Sequence, residues 1–351
     1  MTLEDRINAF VKLGEFLSQF SVDSVKKKAN ILHNDLFFEV FETQIKRAHE
    51  TNGWFDVENV CFSLQSWSEA LTEENLTQWT SNYAFNNKSK SVAIIMAGNI
   101  PLVGFHDFLS VLISGHKIVA KVSSNDKYFI PLVAKYLQYI NPEFKELIEF
   151  TEGELKDFDA VIATGSDNTA RYFDYYFGKH PNIIRKNRNS VAVLTGNESK
   201  EELEALGEDI FRYYGLGCRS VSKLFVPKDY DFDNFFKAIF KYGDVINYNK
   251  YQNNYDYNKA VYLMSLFKLQ ENGFLMLKED ANYGSPIATL FYEYYESING
   301  LENKFENDTD KIQCVVSNSE IKNSVAFGQS QHPKLWDYAD GVDTLAFLNN
   351  L

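Results

Sequence analysis

Short apolar segments alternate with helix-length segments between Lys90 and Leu194, and this alternation constrains the fold more than any other feature of the sequence. Each apolar run is followed by turn residues or a polar stretch, as expected for buried strands. The predicted strands are Val92–Met96, Lys117–Val122, Leu147–Phe150, Ala160–Ala163 and Ser190–Leu194. Helices are predicted between them over residues 102–114, 128–139 and 167–177. This order is typical of a parallel sheet with helices on both faces, so we expect an α/β protein.

The regions that flank this alternation differ from it in their hydrophobic pattern. Residues 1–85 are predicted to be helical, and Thr2 with Asp5 forms the pattern of an N-terminal helix cap. Beyond Gly196 the periodicity indicates helices over residues 201–214, 231–242, 258–270 and 289–298. Strands are expected at residues 223–227 and 312–316. No linker rich in proline or serine separates the two halves, so a boundary near residue 195 rests on texture alone.

Charge and cysteine content exclude several classes of protein. The 351-residue chain carries a net charge of −13, which argues against general nucleic-acid binding and against electrostatic docking on anionic membranes. The most apolar region, 92–122, is interrupted by polar residues and is not expected to span a membrane. Three scattered cysteines give neither a disulfide framework nor a zinc pattern, and no signal core opens the chain. We therefore expect a cytoplasmic protein that binds no metal.

Cys218 is the candidate nucleophile. It follows Gly-Leu-Gly, and we expect it at a helix N-terminus beside Arg219, where two positive influences would favour the thiolate. A small buried hydrophobe is the alternative interpretation of a free cysteine. That alternative is favoured for Cys61, in a helical stretch, and for Cys314, in an apolar strand.

Two turns at predicted strand ends could bind ligand groups. Thr164-Gly165-Ser166 follows a buried strand and opens a helix, where a pyrophosphate can meet backbone N–H groups, although a plain turn is the alternative. The side-chain amide of Asn99 could donate to a developing oxyanion, or Asn99 could simply form a turn. His106, His116, His180 and His332 show no metal-ligand spacing and are interpreted as structural or solvated. A Cys/His hydrolase therefore has little support.

Taken in order, five segments resemble the aldehyde dehydrogenase superfamily. They are similar to its PWNFPL loop, its GNxVVxKPS strand end, its TGS turn, its GQxC nucleophile loop and its FGP segment near the nicotinamide ribose. In this sequence the segments are Met96–Leu102, Gly115–Ser123, Thr164–Ser166, Gly217–Cys218 and Tyr283–Pro286. Within the superfamily, Ile184–Ser190 and Tyr214–Ser220 resemble acyl-CoA reductases of the LuxC type, which reduce acyl thioesters to fatty aldehydes.

The resemblance implies a fold and a set of roles. It implies a Rossmann-type cofactor domain with the helical N-terminus over residues 1–195, and an α/β catalytic domain over 196–325. Residues 326–351 would pack back on the cofactor domain or on a partner subunit. Cys218 would be the nucleophile and Asn99 an oxyanion donor. The implied cofactor-binding residues are Lys121, Ser123, Ser124, Thr164, Gly165, Ser166 and Pro286.

Two departures from the superfamily pattern refine the implied reaction. Aldehyde dehydrogenases carry ELGG, whose Glu is the base for hydrolysis, before the strand corresponding to 190–194. Residues 185–189 contain no Glu, as expected if the acyl group is exchanged with coenzyme A. Ser124 stands where the superfamily has the Glu that contacts the adenosine ribose, and losing that charge makes room for the 2′-phosphate of NADPH.

The resulting expectation is an NADPH-dependent fatty acyl-CoA reductase that acts through an acyl-cysteine. Its ligands would be NADPH, a small-molecule acyl-CoA and coenzyme A, without nucleic acid and without stable membrane insertion. An acyl-phosphate or semialdehyde reductase on the same fold and a non-catalytic nucleotide-binding homologue are the alternatives. No long hairpin of the kind that builds the superfamily's tetramers precedes Val92, and a homodimer stays open.

Overall fold

The computed structural model describes residues 1–85 and 88–351. The chain forms two compact units. The first unit contains Met1–Lys186 together with Lys334–Leu351, and the second contains Asn187–Pro333. Each unit contains one sheet. Among the described residues, no helix combines the length and the apolar composition of a membrane span.

Four helices begin the first unit. They are α1 (Leu3–Leu17), α2 (Asn34–Thr51), α3 (Val57–Ala70) and α4 (Glu73–Thr80). The predicted cap of α1 is confirmed, because Thr2 Oγ1 accepts from Asp5 N at 3.1 Å while Asp5 accepts from Thr2 N at 2.8 Å. Apolar faces of these helices share one core with the first sheet, in which the ring of Phe16 stacks on Tyr136 at 4.4 Å.

The first sheet has five parallel strands. They are β1 (Ser91–Ile95), β2 (Lys117–Lys121), β3 (Ile148–Phe150), β4 (Ala160–Thr164) and β5 (Asn182–Arg185). The connecting helices are α5 (Phe105–Ile113), α6 (Phe129–Ile140), α7 (Phe144–Leu147) and α8 (Asp167–Phe177). The order β3-β2-β1-β4-β5 is that of a doubly wound nucleotide-binding sheet, with a topological switch point between β1 and β4. This confirms the predicted α/β class.

The second sheet has six strands. They are β6 (Asn189–Val193), β7 (Val221–Pro227), β8 (Leu269–Glu271), β9 (Met276–Glu279), β10 (Thr289–Tyr295) and β11 (Ile312–Val316). Its order is β11-β6-β7-β10-β9-β8, parallel except for the antiparallel pairing of β8 with β9. Helices α9 (Lys200–Phe211), α10 (Phe232–Ile239), α11 (Asn249–Met264) and α12 (Ile298–Asn307) belong to this unit.

Three details differ from the sequence predictions. The helix predicted over 289–298 is wrong, because Thr289–Tyr295 is strand β10, and its run of aromatic residues suits a sheet better than a helix. Strand β6 was expected within the segment before residue 195, but it pairs with β7 and β11 in the second sheet. Strands β5, β8 and β9 were not predicted. Pairing with strands distant in sequence decides all three kinds of difference, and local pattern does not record it.

The C-terminal residues return to the first unit, where α13 (Thr344–Asn349) ends the chain. Arg185 NH1 donates to Ala339 O at 2.9 Å, and its other terminal nitrogen donates to Thr344 Oγ1 at 3.0 Å. His116 Nε2 lies 3.0 Å from Leu348 O, so that imidazole has the structural role expected for it. The segment 334–351 is thus held by side chains of the first unit.

Candidate active site

The carboxyl edge of the first sheet gathers most of the predicted binding residues. Ile95 at the end of β1 is level with Lys121 on β2 and with Ala163 on β4. The three segments that follow these strands therefore begin side by side at the switch point, where doubly wound sheets bind ligands. These segments contain Asn99, Lys121, Ser123, Ser124, Thr164, Gly165 and Ser166.

The loop that carries Asn99 is packed tightly against the end of β2. A Cβ atom added to Gly98 would lie 2.5 Å from Ser123 Oγ and 2.7 Å from Ser123 Cβ, so no larger residue fits without a shift. Asn52 Nδ2 donates to Gly98 O at 3.1 Å, and Ser63 Oγ donates to Pro101 O at 2.9 Å. These contacts fix the loop backbone, while the Asn99 side chain is exposed at the edge.

A buried carboxylate supports the same loop from below. Asp126 accepts from Leu102 N at 2.8 Å, and burial raises the pKa of its carboxyl group to about 6. This is the only acidic residue in the segment 121–126, and its side chain is buried rather than directed to solvent. The end of β2 therefore presents no exposed carboxylate of its own to a ligand.

The predicted TGS turn begins a helix, as expected. Thr164 is the last residue of β4, and Ser166 is the N-cap of α8, whose Oγ accepts from Thr169 N at 3.3 Å. A Cβ at Gly165 would lie 3.0 Å from both Phe173 and Thr169, so strand and helix approach closely there. Backbone N–H groups at such a helix start suit a pyrophosphate, and the edge therefore fits a dinucleotide.

Lys121 extends this edge toward β3. Its side chain is exposed, and Nζ donates to Gly153 O at 3.2 Å. Ser124 is exposed at the start of the short 3₁₀ turn Ser124–Asp126. Glu152 and Glu154 flank Gly153, but both side chains are exposed to solvent, where screening weakens their influence.

The second unit contains Cys218 on a turn at the amino end of β7. The thiol-bearing residue is exposed, and Ser220 N donates to Gly217 O at 3.0 Å to close the turn. The predicted helix N-terminus at this cysteine is wrong, because the chain passes from the turn directly into the strand at Val221. No helix dipole acts on the thiol from its own segment, although Arg219 is its neighbour in sequence.

A strained segment precedes the cysteine. Tyr213, Tyr214 and Gly215 all have positive φ angles, of 54°, 57° and 75°. The left-handed conformation costs about 1–2 kcal/mol for each tyrosine. The ring of Tyr214 stacks on Tyr248 at 4.5 Å with an interplanar angle of 12°, which offsets part of that cost. This segment turns the chain after α9 and presents Cys218 to solvent. Strain held by packing is common at functional sites.

Serine side chains connect Cys218 to the segment that contains Pro286. Ser190 Oγ on β6 donates to Cys218 O at 2.9 Å. Ser222 Oγ on β7 lies 3.3 Å from Ser190 O and donates to Tyr283 O at 2.9 Å, and Ser285 Oγ donates to Ser222 O at 2.8 Å. The structure thus brings the cysteine turn and the half-buried Pro286 segment to one edge of the second sheet.

A buried lysine also holds that segment, and sequence reasoning missed it. Lys223 on β7 is fully buried, and Nζ donates to Asp280 O at 3.0 Å, to Ala281 O at 2.9 Å and to Glu293 at 2.6 Å. Burial lowers the pKa of Lys223, and the carboxylate of Glu293 opposes that shift. Lys304 forms a second ion pair with Glu293. The available signal was one lysine inside a predominantly apolar strand.

The remaining cysteines and Arg185 have structural roles. Cys61 on α3 and Cys314 on β11 are both buried, as their packing interpretation predicts, and burial raises the pKa of Cys61 to about 11. Arg185 is buried and pairs with Asp107 at 2.7 Å. In the described ranges 1–85 and 88–351, no three His, Cys, Asp or Glu side chains gather as metal ligands do.

Comparisons of sequence and of fold show which known proteins this chain is similar to. Residues 70–239 match the family described as acyl-CoA reductase (LuxC). The chain is 24% identical over 221 residues to long-chain acyl-protein thioester reductase 2 of Photobacterium leiognathi, an alignment that covers 58% of this chain and 44% of that relative. The chain thus spans less than half of the relative's length.

Solved structures share the fold. Aldehyde dehydrogenase 21 of Physcomitrella patens, solved with succinate, superposes with a TM-score of 0.63 at 11% identity, covering 100% of this chain and 84% of that one. Indole-3-acetaldehyde dehydrogenase, solved with NAD⁺, gives a TM-score of 0.57 at 13% identity over 92% of this chain and 73% of that one.

Proposed function

We propose that this chain, which matches the acyl-CoA reductase (LuxC) family over residues 70–239 and shares the fold of aldehyde dehydrogenases, reduces a fatty acyl-CoA thioester to the aldehyde with NADPH. The observation that carries the proposal is Cys218, exposed on a strained turn whose backbone is fixed by hydrogen bonds. A thiol presented in this way suits covalent catalysis better than packing. Its two fellow cysteines are buried and unsuited to that role.

In the proposed reaction, Cys218 Sγ attacks the thioester carbonyl as the thiolate. The resulting oxyanion would accept from the Cys218 backbone N–H and, as the resemblance implies, from the Asn99 amide, and it would collapse as coenzyme A leaves. After hydride transfer the acyl group becomes a thiohemiacetal on Cys218, which releases the aldehyde. The exposed amide of Asn99 on a rigid loop supports its part in this scheme.

A nicotinamide dinucleotide would supply the hydride. Thr164, Gly165 and Ser166 would hold its pyrophosphate at the start of α8, because this turn ends a strand beside the switch point and begins a helix. Lys121, Ser123 and Ser124 would bind the adenosine ribose at the end of β2. Pro286, in the segment fixed by Ser222 and Lys223, would border the nicotinamide ribose.

The preference for NADPH follows from charge at the end of β2. Ser124 is exposed and neutral where a carboxylate would repel a 2′-phosphate, and the carboxylate of Asp126 is buried beneath the neighbouring loop. Lys121 is the exposed cation of this strand end. An added phosphate would therefore meet a cation and hydroxyl donors.

The scheme also requires the acyl-enzyme to resist water. Residues 185–189 contain no carboxylate, and the first of them, Arg185, is buried in an ion pair with Asp107. This stretch therefore contributes no general base that could activate water. Exchange with coenzyme A and reduction should therefore outcompete hydrolysis as fates of the acyl group.

Intact-protein mass measures the proposed intermediate. The enzyme is incubated with a mixture of acyl-CoAs of different chain length, without nucleotide, and the acyl adducts are localised by peptide mapping. We expect one acyl group on Cys218 and none at that position in Cys218→Ala, while Cys61→Ala behaves as the wild type. A parallel sample with acyl groups carried on a protein thioester compares the two donors. Absence of any adduct on Cys218 from all donors would exclude the proposed reaction.

A further inference from the structure

The loop of residues 327–333 lies against the turn that carries Cys218. Gln331 Nε2 is 3.5 Å from Ser220 Oγ, and both residues are buried. Ser220 is the residue that closes the cysteine turn through its bond to Gly217. In sequence Cys218 lies between Gly217 and Ser220, so the loop contacts the turn that carries the thiol.

A buried carboxylate fixes the course of this loop. Asp209 on α9 is fully buried and accepts from Gly328 N at 2.6 Å and from Ser330 N at 2.9 Å. Hydrogen bonds to a buried charge are strong, and burial in turn raises the pKa of Asp209 to about 6. His332 N then donates to Gln329 O at 3.1 Å. The backbone is thus fixed up to His332.

His332 is the one histidine of the second unit, residues 187–333, and its side chain is exposed, like that of Cys218. Imidazole is the side chain whose ordinary pKa lies nearest neutral pH. From the anchored loop and its contact with the cysteine turn, we propose that His332 is the proton-transfer residue for Cys218. This inference rests on the proposed thioester reduction and adds a residue to it.

The cysteine needs such a partner. An ordinary thiol with a pKa of about 8.5 is only about 3% ionised at pH 7. The turn at Cys218 offers no helix N-terminus that would lower this pKa. Arg219 supplies a neighbouring positive charge but accepts no proton. A neutral imidazole that reaches the thiol from the anchored loop would take the proton as the nucleophile is needed.

One imidazole accounts for every proton transfer of the proposed reaction. During acylation His332 takes the proton of the Cys218 thiol while Sγ bonds to the acyl carbon. It gives that proton to the coenzyme A sulfur as the old C–S bond breaks, so acylation has no net proton change. After hydride transfer, the oxyanion forms the aldehyde as the bond to Cys218 breaks. His332, reprotonated from solvent, then protonates the thiolate.

Two measurements test this role in the full chain. His332→Asn keeps a polar side chain of similar size, and His49→Asn changes an exposed histidine of α2 as the matched control. The first measurement is the rate of the initial coenzyme A release from acyl-CoA without nucleotide. The second is the rate of Cys218 alkylation by iodoacetamide as a function of pH, which requires no substrate.

We expect His332→Asn to slow the initial coenzyme A release about 100-fold at pH 7, the usual effect of losing a general acid–base group. The alkylation profile of the variant should lie at higher pH than that of the wild type, because the variant lacks a proton acceptor for the thiol. The control should match the wild type in both. A variant with the wild-type release rate and alkylation profile would refute the role of His332 and leave the reductase proposal intact. A shifted alkylation profile in an enzyme that releases no coenzyme A would support His332 and refute the acyl-CoA substrate.

Discussion

Gly98 is the position at which the geometry of the nucleotide edge can be tested most quantitatively. Gly98→Ala places a methyl group 2.5 Å from Ser123 Oγ and 2.7 Å from Ser123 Cβ. The hydroxyl can rotate away, but Cβ cannot, so either the loop or the end of β2 must shift. Overpacking of this kind costs about 2 kcal/mol. At about 3 °C per kcal/mol for a unit of this size, the melting temperature should fall by about 6 °C.

A double-mutant cycle isolates the contact. Ser123→Gly removes both clashing atoms, and the nearest remaining atom is Asn125 Cβ at 3.1 Å. Alone, this change loses the bond from Asn125 N at 3.2 Å and costs about 1 kcal/mol. In that background Gly98→Ala should cost less than about 0.5 kcal/mol, which gives a coupling of about 1.5 kcal/mol. Circular dichroism during heating measures the four stabilities. Costs that simply add would show that the two residues are not in contact.

Three further predictions concern the cofactor preference, the reactivity of the cysteines and the role of Lys223. Ser124→Glu should shift the ratio of kcat/KM for NADPH over NADH toward NADH by about 1–3 kcal/mol, the size of one close like-charge contact. An unchanged ratio would show that charge at position 124 does not set the cofactor preference. Iodoacetamide at pH 8 should label about one thiol per native chain, on Cys218, because Cys61 is buried and its pKa is raised to about 11. Rapid labelling of more than one thiol would contradict the burial of the other cysteines. Lys223→Met should leave Glu293 paired with Lys304 alone and remove the bond to Asp280 O. We expect it to lower the stability by about 2 kcal/mol, the usual size for lost hydrogen bonds to a charged group, and to raise the KM for nucleotide. A stable variant with an unchanged KM would show that this lysine does not hold the Pro286 segment.

The first sheet and its helix starts were predictable because their signals are local. The apolar run at Val92–Met96 and the polar turn after it predict a buried strand and the point at which it ends. In the structure this strand is β1, Ser91–Ile95. Ser166 stands immediately before a segment with helical periodicity, which predicts an N-cap. In the structure Ser166 is the N-cap of α8. Such features depend on residues within one or two turns of each other.

The surroundings of Cys218 were not predictable in the same way. The left-handed Tyr213 and Tyr214 are held by packing with the distant Tyr248, and no propensity favours that conformation for tyrosine. The helix expected after Cys218 is replaced by strand β7, because pairing with β6 extends to Val221, the residue after the turn. The approach of Gln331 to Ser220 joins residues 111 positions apart.

The central claim is that the chain reduces a thioester through an acyl group held on Cys218, and one mixing experiment tests it directly. Enzyme is mixed with excess acyl-CoA without nucleotide, free coenzyme A is followed in time, and NADPH is then added. We predict release of about one equivalent of coenzyme A per active site, then near arrest, because residues 185–189 contain no carboxylate that activates water. NADPH should then discharge the acyl group as aldehyde. Continuous release of coenzyme A with stoichiometric fatty acid before NADPH is added would contradict the account and identify a hydrolase.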